Sequence, residues 1–324
     1  MLTDGNALFL LLAALTLDAL VGDPDWLWRR LPHPVVWIGK LISSLETRLN
    51  STSFSPATRK RNGVLTLLIL LSGSLVLGFF LTWLSNQIAF GSVITILIVA
   101  VLIAQKSLFD HVASVRDGLR QGGLGGGRKA VAMIVGRDPE QLDEAGVSRA
   151  AIESCAENFS DGIVAPVFWF AVLGLPGLIT YKAVNTADSM IGHKNERYQD
   201  FGWASARFDD LINLPASRLA GLFIAGAAGL AKGSPLHALR IMIRDAGQHR
   251  SPNAGWPEAA MAGALGLALA GPRVYTGYKV EDPYMNPAGR RDANAEDIAA
   301  ALRVYMGACA IQALIIAILS LVWW

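Results

Sequence analysis

From Gly63 to Leu84 the chain reads GVLTLLILLSGSLVLGFFLTWL, without one charged side chain. About 20 apolar residues is what a helix needs to cross the hydrocarbon core of a bilayer. Immediately before it stand Arg59, Lys60 and Arg61, a basic cluster that marks a cytoplasmic end under the positive-inside rule. Composition agrees with this reading. Of the 324 residues 52% are hydrophobic and 17% charged, against about 25% charged in ordinary soluble chains. Mean hydropathy is +0.39, too apolar for a disordered chain. A net charge of +2 provides no field for nucleic acid. Two cysteines, Cys155 and Cys309, exclude a disulfide scaffold and a four-cysteine zinc site.

Two more runs read as full spans. Residues 91–105 form a helical hairpin with the 63–84 span through the uncharged link 85–90, and residues 304–324 end on Trp323-Trp324, an interfacial anchor. Residues 6–21 are apolar but short and contain Asp18. Asp4 takes the place of a basic n-region and no A-x-A-like site follows, so this run reads as an uncleaved span or half-span. The segment after it carries seven basic and three acidic residues between 22 and 62, which puts it in the cytoplasm and the N-terminus outside. Weaker apolar stretches at 163–181, 214–231 and 259–270 hold prolines and glycines, carry Arg218, or are too short. Broken or re-entrant helices suit them better than simple crossings. The expectation is an all-α polytopic membrane protein with about four full transmembrane helices (6–21, 63–84, 91–105, 304–324), re-entrant or broken helices, and amphipathic cytoplasmic helices. Residues 1–324 form a single domain in this reading, with polar blocks 22–62, 106–162, 182–213 and 244–258.

Those blocks are dense in groups that are costly near lipid. In AIESCAENFSDG (151–162) a helix would place Glu153, Glu157 and Asp161 at i, i+4 and i+8 on one face. A solvated face is the plain alternative, but the segment runs straight into apolar residues, which favours a metal or substrate site at the membrane boundary. In YKAVNTADSMIGHKNERYQDFGWASARFDDLIN (181–213), Lys182, Asn185, Thr186 and Ser189 share one helix stripe with Asp188 at its edge. His193, Lys194, Asn195, Glu196, Arg197, Asp200, Arg207, Asp209 and Asp210 follow. Acids supply hard oxygen ligands to Mg²⁺ while Lys and Arg take phosphate charge. RDAGQHRSPNAGWPE (244–258) makes a rigid turn around Pro252, Gly255 and Pro257 that could present Asn253 to a ligand, and GDPDWLWRRLPHP (22–34) combines Asp23 with His33.

Other motifs fail. GGLGGGRK (122–129) has Arg128 where a P-loop needs lysine and Lys129 where it needs Ser or Thr, and reads as a flexible basic linker. Neither H-E-x-x-H nor G-x-S-x-G occurs.

GDPDWLWRRLPHPVVWIGKLI, VAMIVGRDPEQLDEAGVSRAAIESCAENFSDGIVAPVFW, the 181–213 block with its continuation LPASRL, and SPNAGWPEAAMAGALG together resemble the adenosylcobinamide-phosphate synthases of cobalamin biosynthesis, integral membrane proteins of bacteria and archaea. The resemblance runs in order from Leu17 to about Gly271, with Phe159 where the family pattern puts a threonine after AEN. It implies ATP-dependent amide formation between adenosylcobyric acid and (R)-1-amino-2-propanol phosphate, or the free aminoalcohol, with Mg²⁺ and ATP as cofactors. It also implies the bacterial cytoplasmic (inner) membrane, lipid contact, no nucleic acid, and room for a homo-oligomer or association with other corrinoid-assembly enzymes. A carboxylate condenses with an amine in water only after activation, which needs cations on the phosphates and a base for the incoming ammonium. On that chemistry Glu157, Asp161, Asp188, Asp209 and Asp210 are the candidate metal-binding or proton-handling acids, with Asp188, Asp209 and Asp210 as the metal set. Lys182, Arg197 and Arg207 are candidate phosphate or carboxylate clamps. Asn158, Asn185, Thr186, Asn195, Asn253 and His33 are candidates for positioning substrate. Because ATP is cytoplasmic, the site is expected to face inward.

Two alternatives come from other classes. NTAD and DDLIN are similar to the Mg²⁺-diphosphate motifs of intramembrane prenyltransferases, though not as a pair of Asp-rich repeats. A corrinoid transporter would need polar groups within more clean spans than the sequence offers.

Overall fold

Helices form because the apolar runs carry few breakers and begin at good caps. Ser55 accepts a hydrogen bond from the Thr58 N–H at 3.2 Å with Pro56 as the first helical residue, and Asp143 does the same for Gly146 at 2.6 Å. The computed structural model describes residues 5–135, 138–275, 278–280 and 282–323. Its helices are α1 (Gly5–Val21), α2 (Asp25–Trp28), α3 (Pro34–Leu49), α4 (Pro56–Gln87), α5 (Gly91–Leu102), α6 (Gln105–Val131), α7 (Glu144–Phe159), α8 (Ala165–Ile191), α9 (Trp203–Ile212), α10 (Leu214–Ala227), α11 (Pro235–Asp245), α12 (Gly255–Leu265) and α13 (Ala295–Val322). A π turn, Ser160–Val164, joins α7 to α8. Among the described residues, strand is confined to two short antiparallel pairs between Leu269 and Met285.

The chain is an all-α polytopic membrane protein. Five helical stretches are long and apolar enough to cross a bilayer: Pro56–Gln87, Gly91–Val131, Glu144–Ile191, Leu214–Ala231 and Ala295–Val322, with Gly5–Val21 a shorter apolar helix. The sequence expectation differs in two places. Leu214–Ala231 is one continuous helical stretch despite Arg218, and residues 91–105 extend only to Leu102 before the chain breaks at Ile103 and Ala104. Asp4 and Trp324 lie outside the described residues.

Two compact units divide the chain, one of residues 1–104, 165–213 and 316–324, the other of 105–164 and 214–315. In the first, α4 shows how lipid and protein faces are sorted. Val64, Leu65, Leu68, Val76, Phe79, Phe80 and Trp83 are exposed, while Gly63, Thr66, Leu67, Leu70, Ser74 and Gly78 are buried. The small residues on that buried stripe let backbones approach closely. A Cβ on Gly63 would meet the Phe201 carbonyl, and one on Gly78 would meet the Pro176 backbone. Ile42, Leu70, Ala187, Ile191 and Phe201 then close a core among α3, α4 and α8.

Helix α8 reverses inside its own length. Gly174 holds φ 67° and ψ −150°, a region open essentially to glycine alone. Gly177 consequently lies against the Trp169 carbonyl and the Leu173 side chain; eight residues along a straight helix span about 12 Å. The stretch 163–181 therefore contains the tip of a helical hairpin, as its prolines and glycines suggested. Helix α6 repeats the device in the second unit. Gly123 sits at φ 58°, ψ −151°, and a Cβ on Gly118 would stand 2.7 Å from the Gly126 carbonyl. The glycine-rich run 122–129 thus holds the tip of a helical hairpin whose arms meet at Gly118 and Gly126, which corrects its reading as a linker. Also in the second unit, α12 is buried on all sides, so its Ala/Gly composition belongs to a core helix.

Candidate active site

The polar residues of the first unit gather where α8 ends and α9 begins. Gly192 terminates α8, its N–H on the Asp188 carbonyl at 2.7 Å. A Cβ there would strike the Asp188 side chain. Asn195 Oδ1 then accepts the N–H groups of Arg197 and Tyr198 at 3.1 and 3.0 Å, an Asx turn that shapes the loop leading into α9. The basic cluster before α4 clasps this loop. Arg59 donates to the Glu196 carbonyl at 2.6 Å and pairs with Asp200 at 3.4 Å, while the Lys60 ammonium sits 3.9 Å over the Trp203 ring. The cluster read as a membrane anchor therefore holds the loop as well.

Asp209 is the centre of the arrangement. Its carboxylate is buried, accepts from Asn213 Nδ2 at 2.9 Å, and faces Asn185 Nδ2 at 3.5 Å. The Tyr181 hydroxyl donates to Asn213 Oδ1 at 3.0 Å and fixes the amide's orientation. Burial first, and the Asp188 charge second, push the Asp209 carboxyl up to about 7, with the two amides pulling the other way. Burial also raises Asp210, opposed by the charges of Arg207 and Lys194. Asp188, Asp209 and Asp210 thus lie within electrostatic reach of one another. A carboxylate held near neutrality can exchange a proton at physiological pH.

Around this centre, side chains divide into those facing the acids and those committed elsewhere. Lys182 lies a turn before Asn185 on α8, within electrostatic reach of His33. Thr186 donates its hydroxyl to the Lys182 carbonyl at 2.6 Å, and Ser189 to that of Asn185 at 2.9 Å, so both hydroxyl protons are committed to the helix backbone. His33 caps α3: Nδ1 accepts the Val35 N–H at 3.2 Å, Nε2 lies 3.1 Å from the Val101 carbonyl, and Trp28 packs edge-on at 4.6 Å. Burial lowers its pKa, and a ring accepting at Nδ1 and donating at Nε2 is neutral. Arg197, expected as a clamp, gives two hydrogen bonds to Glu46 at 2.8 and 2.9 Å and holds that carboxyl below the usual carboxylate range. Asn195 and His33 shape the backbone here, and Arg197 ties the loop to α3. Arg207 is exposed on α9.

The other expected residues belong to the second unit. Glu153, Glu157 and Asp161 do not form one open carboxylate face. Glu153 is buried and accepts the Ala270 N–H at 2.9 Å, Glu157 is exposed, and the π turn takes Asp161 off the helical phase. Asn158 is exposed, its amide on the Ser154 carbonyl at 2.9 Å. Asn253 is buried, and its Oδ1 accepts from Ser217 at 3.1 Å and from Arg218 at 2.9 Å. Asn213 and Tyr181 escaped the sequence reading. The i, i+4 pairing of Asp209 with Asn213 in DDLIN was the available signal.

Could the acids hold a divalent cation? Among the described residues no three His, Cys, Asp or Glu side chains converge as a ready-made ligand set. Mg²⁺ commonly takes only one or two carboxylates and completes its shell with water and phosphate oxygens. Mutually repelling aspartates, one of them buried and raised in pKa, fit that demand, because a cation relieves the repulsion.

Comparison with known proteins gives a consistent match. A family model described as CobD/Cbib protein matches residues 11–305 and so spans both units. A "Cobalamin biosynthesis protein CobD" of Rhizobium meliloti (strain 1021) is 57% identical over 308 residues, covering 94% of each chain. Proteins of the same name from Brucella suis biovar 1 (53%, 97% of each chain) and Rhodobacter capsulatus (47%, 98% of this chain and 99% of the relative) align similarly. No solved structure matches. With residues 11–305 matched and identity near or above one half along almost its whole length, the chain belongs to the CobD/Cbib family.

Proposed function

We propose that the chain is a membrane-bound ligase of cobalamin biosynthesis. It uses ATP to join the free carboxylate of adenosylcobyric acid to (R)-1-amino-2-propanol phosphate, or to the free aminoalcohol, giving adenosylcobinamide phosphate or its dephosphorylated counterpart. Family membership and the names of the relatives support the pathway. The observation that carries the chemistry is Asp209. An amine arrives as an ammonium and attacks an activated carboxylate only after losing a proton. A carboxyl held near 7 by burial and by the Asp188 charge, and positioned by Asn213 and Asn185, matches that duty at the pH of the cytoplasm. In this proposal Asp209 accepts the ammonium proton, and Asn213 and Tyr181 keep its carboxylate oriented. Lys182 supplies positive charge to a substrate oxyanion. Mg²⁺ bound by Asp188 and Asp210 would neutralise phosphate charge when ATP is present. Because ATP and the corrinoid precursors are cytoplasmic, we place the site on the inner face of the bacterial cytoplasmic membrane.

The test is reconstitution. Purified protein in liposomes, with adenosylcobyric acid, aminopropanol phosphate, Mg²⁺ and ATP, should yield adenosylcobinamide phosphate by mass spectrometry. Absence of product with either form of the aminoalcohol would overturn the proposal.

A further inference from the structure

Arg218 lies one turn inside α10, in the stretch Leu214–Ala231 that is long and apolar enough to cross a membrane. An arginine so placed is costly unless something pays its charge. Here its partners are neutral. Nη1 donates to the Leu214 carbonyl at 3.2 Å, to Ser217 Oγ at 2.9 Å and to Asn253 Oδ1 at 2.9 Å, and the guanidinium lies 4.6 Å over the Trp256 ring. Among the described residues no carboxylate pairs with it. The acceptors themselves are rigid. Ser217 and Asn253 are buried, and the Ser251 hydroxyl accepts the Asn253 and Ala254 N–H groups at 3.2 Å, which locks the turn before α12. Gly221, one turn further along α10, lets Trp256 close in. One edge of the guanidinium is thus occupied, one face rests on an aromatic ring, and Nε and Nη2 donate to no group among the described residues. A pre-oriented fork with unused donors and an uncompensated charge suits bidentate recognition of a tetrahedral oxyanion.

We propose that Arg218, oriented by Asn253 and Ser217 and backed by Trp256, is the docking cation for a phosphoryl group. Two sources share that chemistry, a small phosphorylated molecule and a lipid phosphate. The proposal rests on the ligase reading only for which small molecule would carry the phosphate.

Modification by phenylglyoxal, mapped by peptide mass spectrometry on the full-length protein, separates the outcomes without corrinoid or turnover. In a phosphate-free maltoside detergent Arg218 should be modified. Millimolar inorganic phosphate or ATP should protect it, and acetate at equal ionic strength should not. Protection confined to phosphatidylglycerol nanodiscs would identify the lipid source. N253A should need about ten- to hundredfold more phosphate for the same protection, the worth of one charge-aligned hydrogen bond. A second readout does not depend on reagent access: phosphate should raise the thermal midpoint of the wild type, and R218Q should need at least about tenfold more. Equal response in R218Q, or equal protection by acetate, would overturn the assignment. Neither result depends on whether the ligase assay succeeds.

Discussion

Asp209 makes two demands at once: it must be buried beside another acid, and it must still ionise near neutral pH. The native protein holds a proton on Asp209 between its ordinary value, about 4, and its raised value of about 7; the unfolded chain has already released it. Native stability therefore falls as pH rises through that window and levels off above it. Asp209→Asn cannot ionise and should escape the decline. In a chelator, its thermal stability relative to wild type should grow from pH 4 to pH 7, by on the order of 1–4 kcal/mol, and stay constant above. The same substitution should cost about a hundredfold or more in amide formation, the range for a lost general base. A variant equally active at pH 7.5 would remove Asp209 from the mechanism. Asp188, Asp209 and Asp210 were legible because charge beside an apolar run is costly and conspicuous. Arg197 and His33 were equally conspicuous, yet the fold uses them as a strut to Glu46 and as a helix cap. Residue type announces that a polar group matters; its partner decides how.

At the scale of elements, two glycines turn helices back on themselves. Any Cβ at Gly174 or Gly123 must adopt a conformation that costs about 1–3 kcal/mol. Gly174→Ala and Gly123→Ala should lower the unfolding midpoint accordingly, whereas Gly73→Ala, with nothing within 4 Å of the added carbon, should leave it unchanged or raise it slightly. Equal midpoints in all three would contradict the hairpins. The prolines around 163–181 indicated a bend, but only the backbone angles locate it at Gly174, with Pro176 near the start of the returning arm. Helix α3 is tied to the loop before α9 by Glu46 and Arg197. Because Arg197 is largely exposed, Glu46→Gln should cost only about 1 kcal/mol at neutral pH. Glu46 has a lowered pKa, so its contribution is complete above the usual carboxylate range and disappears as pH falls through the lowered value. The penalty of the Gln variant should therefore vanish in acid, as thermal melts across that range would show.

For the whole molecule, hydropathy made the membrane class plain, since uncharged helices of bilayer length have few other uses. It could not show that Leu214–Ala231 stays helical around a charge, because two of the groups that hold Arg218, the Asn253 amide and the Trp256 ring, come from far along the chain. The proposed inward-facing site rests on the hairpin in α8 and on the cytoplasmic location of ATP. With Cys155 and Cys309 replaced, single cysteines at Glu144 and Gln199, both exposed, should resist an impermeant maleimide in intact cells and react after permeabilisation. Labelling of Gln199→Cys from outside would contradict the cytoplasmic site. The central claim is that ATP activates a corrinoid carboxylate for attack by an amine. Adenosylcobyric acid carrying ¹⁸O in its free carboxylate tests it most directly. Turnover should deliver one ¹⁸O per amide formed to inorganic phosphate or to AMP, whichever group activates the acid. Amide product with all the label left in water or corrinoid, or formed without ATP consumption, would contradict it.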